Sequence, residues 1–369
     1  MIFELEPVEP IHNRRIPARY DIPHAVAMQF HDILALLVVD LEKRGLLQAT
    51  LSVSPEEAAQ LEPLNGEALW SWLVQTGRDE VVADLTYRQL TAALCADACH
   101  FLIESLLACG KGKTAVAYSL LRKPFKENLL LLEWLAAEPE DFLSVFNGTT
   151  SYPYAPNRLP EARRRQIIRE AADATDPSQW FDHEFMYDVR YSKTKPYGLE
   201  QLWTKSTHLV TTVKSLATEP GNLNFVFSTP SAIEEQWEFY YTIVPMLTAY
   251  LLAVAEAVAS RFVAWDEEKR GFQRVLRTIA FLRSVQAISG NDSSELDDLL
   301  QSLEPEGLEC RACGSHIELR EANVDRLWSQ ASVACGICGA VHDLWATLFP
   351  GEGNQDARAE NQEFRGHGA

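Results

Sequence analysis

Four cysteines near the C-terminus form the clearest chemical pattern in this sequence. They occur in two CxxCG motifs, CRACG at 310–314 and CGICG at 335–339. Two residues between paired cysteines let both thiolates reach one ion from a single tight turn, and Gly314 and Gly339 can adopt the positive φ that such a turn needs. The spacing predicts one closed tetrahedral site that is structural, not catalytic. The four expected ligands are Cys310, Cys313, Cys335 and Cys338.

This pattern resembles a zinc ribbon, a family in which two such turns sit on a small β-sheet. The flanking segments HIELREANV, QASVAC and AVHDLWATL alternate apolar and polar residues, which predicts strands. The expected cofactor is one structural Zn²⁺, with a rubredoxin-like iron site or a disulfide pair as alternatives. His316 and His342 are not expected to be ligands, because four thiolates complete the coordination shell. Metal binding should supply most of the folding free energy of so small a unit, about 10 kcal/mol.

The motif GKGKT at 110–114 raises the question of a phosphate-binding loop. Such a loop requires a glycine five residues before its GK[ST] and a strand leading into it. The position five before Gly112 is Leu107, and the preceding residues CHFLIESLLA follow a helical period. The sequence therefore predicts a tight turn between two helices, with Gly110 as the C-cap and Thr114 at the start of the next helix.

A second candidate site consists of polar side chains within otherwise apolar helical segments. His100 and Glu104 lie four residues apart, a spacing at which both could reach one metal ion or one proton. Arg122 and Glu127 follow on the next predicted helix, where Pro124 should bend the chain. The remaining candidates are Asp182, His183, Glu184 and His208. These residues could form a catalytic cluster inside a helical bundle, and the alternative is that they are ordinary ion pairs, caps and packing residues.

Two helical segments carry a weaker resemblance. AYSLLRKPFKENLLLLEWL at 117–135 and YGLEQLWTKSTHLV at 197–210 resemble uncharacterised bacterial all-helical proteins with an LLR-x-x-x-E pattern and a later Tyr-rich helix ending in Ser and His. The corresponding positions here would be Arg122, Glu127, Ser206 and His208. The resemblance implies an all-helical fold and brings no activity with it.

Apolar residues recur at helical spacing through most of the chain before residue 290. This periodicity predicts a mostly α fold, with a multi-helix, bundle-like domain followed by a small β zinc ribbon. The expected parts are an extended N-terminal arm (1–23), an all-helical domain (24–289) with a candidate sub-boundary at 147–160, an acidic linker (290–307), the ribbon (308–350) and a disordered tail (351–369).

Charge restricts the partners that this chain is expected to bind. The net charge is −19, from 33 basic and 52 acidic residues. Such a balance disfavours a general nucleic-acid binder, because cations supply most of the affinity for a polyphosphate. The best basic strip is the arginine-rich segment 161–170, which is expected to be a solvated face. Between 304 and 350 three basic residues stand against seven acidic ones, which favours a protein partner for the ribbon.

The sequence favours a cytoplasmic location. Its first residues lack the basic flank and apolar run of a secretory signal, and seven cysteines suit a reducing compartment. Cys95, Cys99 and Cys109 share one predicted helix and are expected to be buried small apolar residues. The uncharged segment 239–255 is expected to be a buried core helix, with a short membrane span as the alternative.

Two functions from different classes follow from these patterns. The first hypothesis is a non-enzymatic binding or regulatory protein whose ribbon docks a protein partner or a second subunit, with bacterial stress or phage defence as its setting. The second hypothesis is a metal-dependent hydrolase or nuclease that uses His100, Glu104, Glu127 and His208.

Overall fold

The protein is mostly helical, as the periodicity predicts. The computed structural model describes residues 16–148, 150, 154–176, 180–212, 217–224, 230–290, 294–303 and 308–349. Within these ranges the helices are joined by a single two-stranded antiparallel sheet close to the C-terminus. Most of the expected N-terminal arm and all of the expected C-terminal tail lie outside the described residues.

The elements follow one another with short connections. The first eleven helices are α1 Asp21–Lys43, α2 Pro55–Leu61, α3 Gly66–Gln75, α4 Asp79–Gly110, α5 Thr114–Arg122, α6 Leu129–Ala137, α7 Pro139–Phe146, α8 Glu161–Ala174, α9 His183–Tyr191, α10 Leu199–Thr207 and α11 Pro230–Ala259. A π-helix, Lys123–Asn128, joins α5 to α6. The later elements are α12 Glu267–Ser289, α13 Ser294–Leu303, α14 Glu321–Gln330, β1 Ser332–Ala334, β2 Val341–Asp343 and α15 Leu344–Leu348.

The chain divides into two compact units, Met1–Ala264 and Trp265–Ala369. The division precedes α12, whereas the sequence analysis placed this helix in the helical domain and began a linker at residue 290. The physical reason is the packing of α12 within the second unit. It packs against α13 and α14, and Arg283 Nε donates to Asp325 Oδ1 at 3.0 Å. The expected linker also contains α13.

Helix α11 is the core helix of the first unit. It packs against α1, α4, α5, α6 and α8, and its tyrosines Tyr240, Tyr241 and Tyr250 are fully buried. Among the described residues, the stretches Ala18–Lys43, Asp79–Gly110 and Ile233–Ala259 are long and apolar enough to cross a membrane. In the most apolar window of the third stretch, 72% of the residues are buried inside the protein. This burial supports the interpretation of 239–255 as a core helix.

The GKGKT segment is a helix-to-helix turn, as predicted, but its essential glycine differs from the expected one. The N–H of Gly112 donates to the Cys109 carbonyl at 2.8 Å, and the N–H of Lys113 donates to the Ala108 carbonyl at 2.9 Å. These two bonds define a Schellman motif, and Gly112 supplies its left-handed residue with φ 69°. Gly110 is still part of α4, so its assignment as the C-cap was wrong, whereas α5 starts at Thr114 as expected.

Candidate metal centre

Two turns of equal construction carry the four cysteines. In each turn the glycine N–H donates to the carbonyl of the first cysteine, from Gly314 to Cys310 at 2.8 Å and from Gly339 to Cys335 at 2.9 Å. The φ angles of these glycines, 71° and 74°, confirm the predicted left-handed conformation. A side chain is strained at such a φ, so both CxxCG motifs encode the same turn.

The two turns face each other and bring the four sulfurs together. All four Sγ atoms lie within 4.8 Å of one another. The separation is 3.5 Å between Cys310 and Cys338 and 3.7 Å between Cys313 and Cys335. A tetrahedron with metal–sulfur bonds of about 2.3 Å has edges of roughly 3.8 Å, so the four thiols fit a zinc-sized cation. The structure therefore confirms the predicted metal-binding cluster, and its cysteines are free thiols, not disulfides.

The protonation of these thiols shows why a cation fits among them. Hydrogen bonding with the side chain and backbone of Ser315 lowers the pKa of Cys313 to about 6. The backbone N–H of Ala340 lowers the pKa of Cys338, but the adjacent sulfurs outweigh it and raise that pKa to about 12. The neighbouring thiolates thus oppose one another's ionisation. A divalent cation at the centre would remove this conflict, because it attracts every thiolate at once.

The segment between the cysteine pairs differs from the predicted β structure. HIELREANV was expected to be a strand, but α14 begins at Glu321 and buries Val324, Leu327 and Trp328 at helical spacing. The strand predictions for QASVAC and AVHDLWATL are confirmed in part, since they contain β1 and β2, while α15 follows from Leu344. The strands pair with Val333 opposite His342. The unit therefore has an apolar helical core in addition to the cysteine cluster.

The polar residues of the helical unit do not gather around a metal position. Within the described residues, the cysteine cluster is the only group of three or more His, Cys, Asp or Glu side chains close enough to share an ion. His100 and Glu104 are exposed on α4. Arg122 Nη1 lies 2.7 Å from Glu127 Oε1 in a half-exposed ion pair. Their spacing of five residues suits the π-helix between them, in which residues five apart share a face.

The remaining candidates have structural positions. Asp182 is the N-cap of α9, and its Oδ1 accepts the N–H of Glu184 at 2.9 Å. His183 Nε2 lies 3.7 Å from a carboxylate oxygen of Glu184. His208 is exposed at the end of α10, and its backbone carbonyl accepts the side-chain amide of Asn224. Ser206 Oγ donates to the Trp203 carbonyl at 3.3 Å.

The sequence analysis missed the most buried charges of the first unit. Arg190 and Glu133 have fully buried side chains, and Arg190 Nη1 donates to Glu133 Oε2 at 3.0 Å. The Tyr250 hydroxyl donates to Glu133 Oε1 at 2.8 Å, and Arg190 Nη1 also donates to the Phe125 carbonyl of the π-helix at 3.2 Å. The signal that could have found this pair is Glu133 itself, the one charge in the apolar run LLLLEWL.

The basic strip on α8 is neutralised within its own unit. Arg163 Nη1 donates to Glu138 Oε1 at 2.7 Å, and Arg165 Nε donates to Glu161 Oε1 at 3.0 Å. Arg164 Nη1 donates to the Leu159 carbonyl at 2.7 Å. These contacts leave the strip poorly suited to binding phosphates. Likewise Cys95, Cys99 and Cys109 are buried as predicted, and burial raises the pKa of Cys99 to about 12.

Comparisons with protein-family models, with curated proteins and with solved structures give no match for this chain. The resemblances to zinc ribbons and to bacterial all-helical proteins therefore stay predictions from sequence. The functional argument that follows rests on the geometry of the cysteine cluster and on the surface around it.

Proposed function

We propose that this chain is a non-enzymatic binding or regulatory protein in which one structural Zn²⁺ stabilises a docking unit. Four thiolates fill a tetrahedral shell and leave no position for a substrate, which favours a structural role for the ion. Zinc is favoured over iron because a closed four-thiolate site without a redox partner suits a cation with no redox chemistry. The docked molecule would be a protein partner or a second copy of the chain.

The observation that carries this proposal is the exposure of Ile337 at the tip of the second cysteine turn. Its side chain is 78% exposed, although the residues on either side of it are fixed by the turn and by Cys338. Val341 and Leu348 add further exposed apolar side chains in the same unit. A large apolar side chain held rigidly outside a core is typical of a contact that another protein covers.

Metal content tests the first half of the proposal. Purified full-length protein is expected to contain about one zinc per chain, and Cys310→Ser is expected to lose it, because three thiolates leave the shell open. His100→Ala should keep the same zinc content as the unaltered chain. A second metal that disappears with His100→Ala would instead support a metal-dependent enzyme.

A substitution at the tip tests the second half. Ile337→Glu should weaken self-association or partner binding by about 2 kcal/mol, because it places a charge at the centre of an apolar contact. The matched control is Ala312→Glu, which puts the same charge at the equivalent position of the first turn. Sedimentation velocity measures self-association, and a photoreactive crosslinker at position 337 identifies any other partner. Equal behaviour of both variants and the unaltered chain would contradict the docking role.

The hydrolase or nuclease hypothesis has no specific observation in its favour, because the described His and Glu candidates do not converge. Nucleic acid is a weak candidate partner for the same electrostatic reasons as before, since the net charge is −19. A cytoplasmic location is part of the proposal, because free thiols at all seven cysteines suit a reducing compartment. Fractionation of cells that express the full-length chain tests this location.

A further inference from the structure

The two cysteine turns belong to two short hairpins with the same register. In the first hairpin the pair next to the turn is Glu309 opposite His316. In the second hairpin the pair at the same distance from the turn is Ala334 opposite Val341. His316 and Val341 are thus equivalent residues, each three positions beyond the second cysteine of its turn.

The next residue along each hairpin points inward. Ile317 is only 2% exposed, and its N–H donates to the Leu308 carbonyl at 2.7 Å, as the hairpin register requires. Its equivalent in the second hairpin is His342, which lies half-buried between two exposed neighbours on β2. Side chains alternate across a strand, so His342 occupies an inward position that the first hairpin fills with an apolar side chain. A polar ring at such a position needs a polar partner.

That partner is a cysteine of the metal centre. His342 Nε2 lies 3.3 Å from Cys310 Sγ. The Cys310 side chain is nearly inaccessible to solvent, so water has little access to this sulfur. A metal-bound thiolate can only accept a hydrogen bond, so the proton must lie on Nε2 of the imidazole.

We propose that His342 is a positioning residue of the metal centre, which donates its Nε2–H to the Cys310 thiolate without becoming a ligand. This inference rests on the proposed zinc site. Four thiolates and one Zn²⁺ leave two negative charges in excess, and a hydrogen bond from the imidazole withdraws electron density from one of the sulfurs. It also fixes the direction of the Cys310 side chain, as outer partners of metal ligands do elsewhere.

The dissociation constant for zinc in full-length protein, measured by competition with a chelator, tests this role. His342→Ile, which copies the first hairpin, should bind zinc about 10- to 100-fold more weakly, the usual effect of losing such a partner. His342→Gln keeps an N–H donor and should recover most of the affinity. The control is His316→Ala, which removes the exposed histidine of the other hairpin and should leave the affinity unchanged.

Cobalt absorption separates positioning from ligation. Cobalt(II) in the unaltered chain and in His342→Ile should show the thiolate-to-metal absorption of four thiolates. The proposal is overturned if the unaltered chain shows three thiolates and a nitrogen ligand, or if His342→Ile binds zinc as tightly as the unaltered chain. His342→Val replaces the isoleucine variant if that variant does not fold. Absence of zinc from the unaltered chain would be a different result, since it would refute the metal centre itself.

Discussion

Glu133 and Arg190 show how much one buried side chain can determine in this protein. Both are completely removed from solvent, and their hydrogen bonds join α6, α9, α11 and the π-helix. Pro124 lies inside that π-helix, and Arg190 and Tyr191 both donate to carbonyls of the same six residues. A buried ion pair contributes little to stability compared with an apolar pair, but loss of one partner leaves an uncompensated charge.

Glu133→Gln should therefore lower the free energy of unfolding by about 3–5 kcal/mol, because Arg190 keeps its charge without a carboxylate. The matched control is Glu127→Gln, which removes the same charge from the half-exposed pair with Arg122 and should cost less than about 1 kcal/mol. Urea unfolding followed by circular dichroism measures both variants. Similar losses in the two variants would show that the buried pair has no special role.

The second prediction at the residue scale concerns His24. Its Nδ1 lies 2.9 Å from the Tyr241 hydroxyl, and burial lowers its pKa, an effect that Asp21 partly offsets. The unfolded chain therefore binds a proton more readily than the folded chain, so stability should fall as the pH drops through about 6.5, the ordinary histidine pKa. His24→Gln should reduce this loss, whereas the exposed His100→Gln should not. Urea midpoints between neutral and mildly acidic pH provide the measurement.

At the scale of elements, the turn between α4 and α5 separates two glycines that look alike in sequence. Gly112 has φ 69°, so Gly112→Ala should cost about 1–2 kcal/mol. Gly110 is helical, and an added Cβ would only make ordinary contacts, 3.6 Å from His24 Cε1 and 3.8 Å from Ile16 Cγ2. Gly110→Ala should therefore gain up to about 1 kcal/mol. Thermal unfolding distinguishes the two, and the reverse order would contradict the assigned turn.

The sequence predicted the features that local chemistry determines. The four cysteines and their glycines specify the two turns, and Ser54 with Glu57 forms the capping box that starts α2, as its sequence indicates. Glu133 and Arg190 could not be paired from sequence, because 56 residues separate them and only packing brings them together. In HIELREANV the alternation misled the strand prediction, because the apolar spacing that continues through Leu327 and Trp328 is helical.

At the scale of the whole molecule, the two units should respond differently to loss of metal. The cysteine cluster lies in the second unit, and the first unit has its own buried core around α11. Chelation of zinc should therefore speed amide hydrogen exchange in residues 308–349 and leave 79–146 unchanged. Cys313→Ser should reproduce the effect, and Cys99→Ser should not. Equal acceleration in both units would show that they unfold together.

The placement of α12 has a practical consequence for anyone who wishes to produce the C-terminal part by itself. A truncation that starts at residue 290 would remove the helix that carries Arg283 and strip its apolar cover from α14. A polypeptide that starts at Trp265 keeps every contact of that helix with its own unit. The longer fragment should remain monodisperse in zinc-containing buffer, and the shorter one should aggregate.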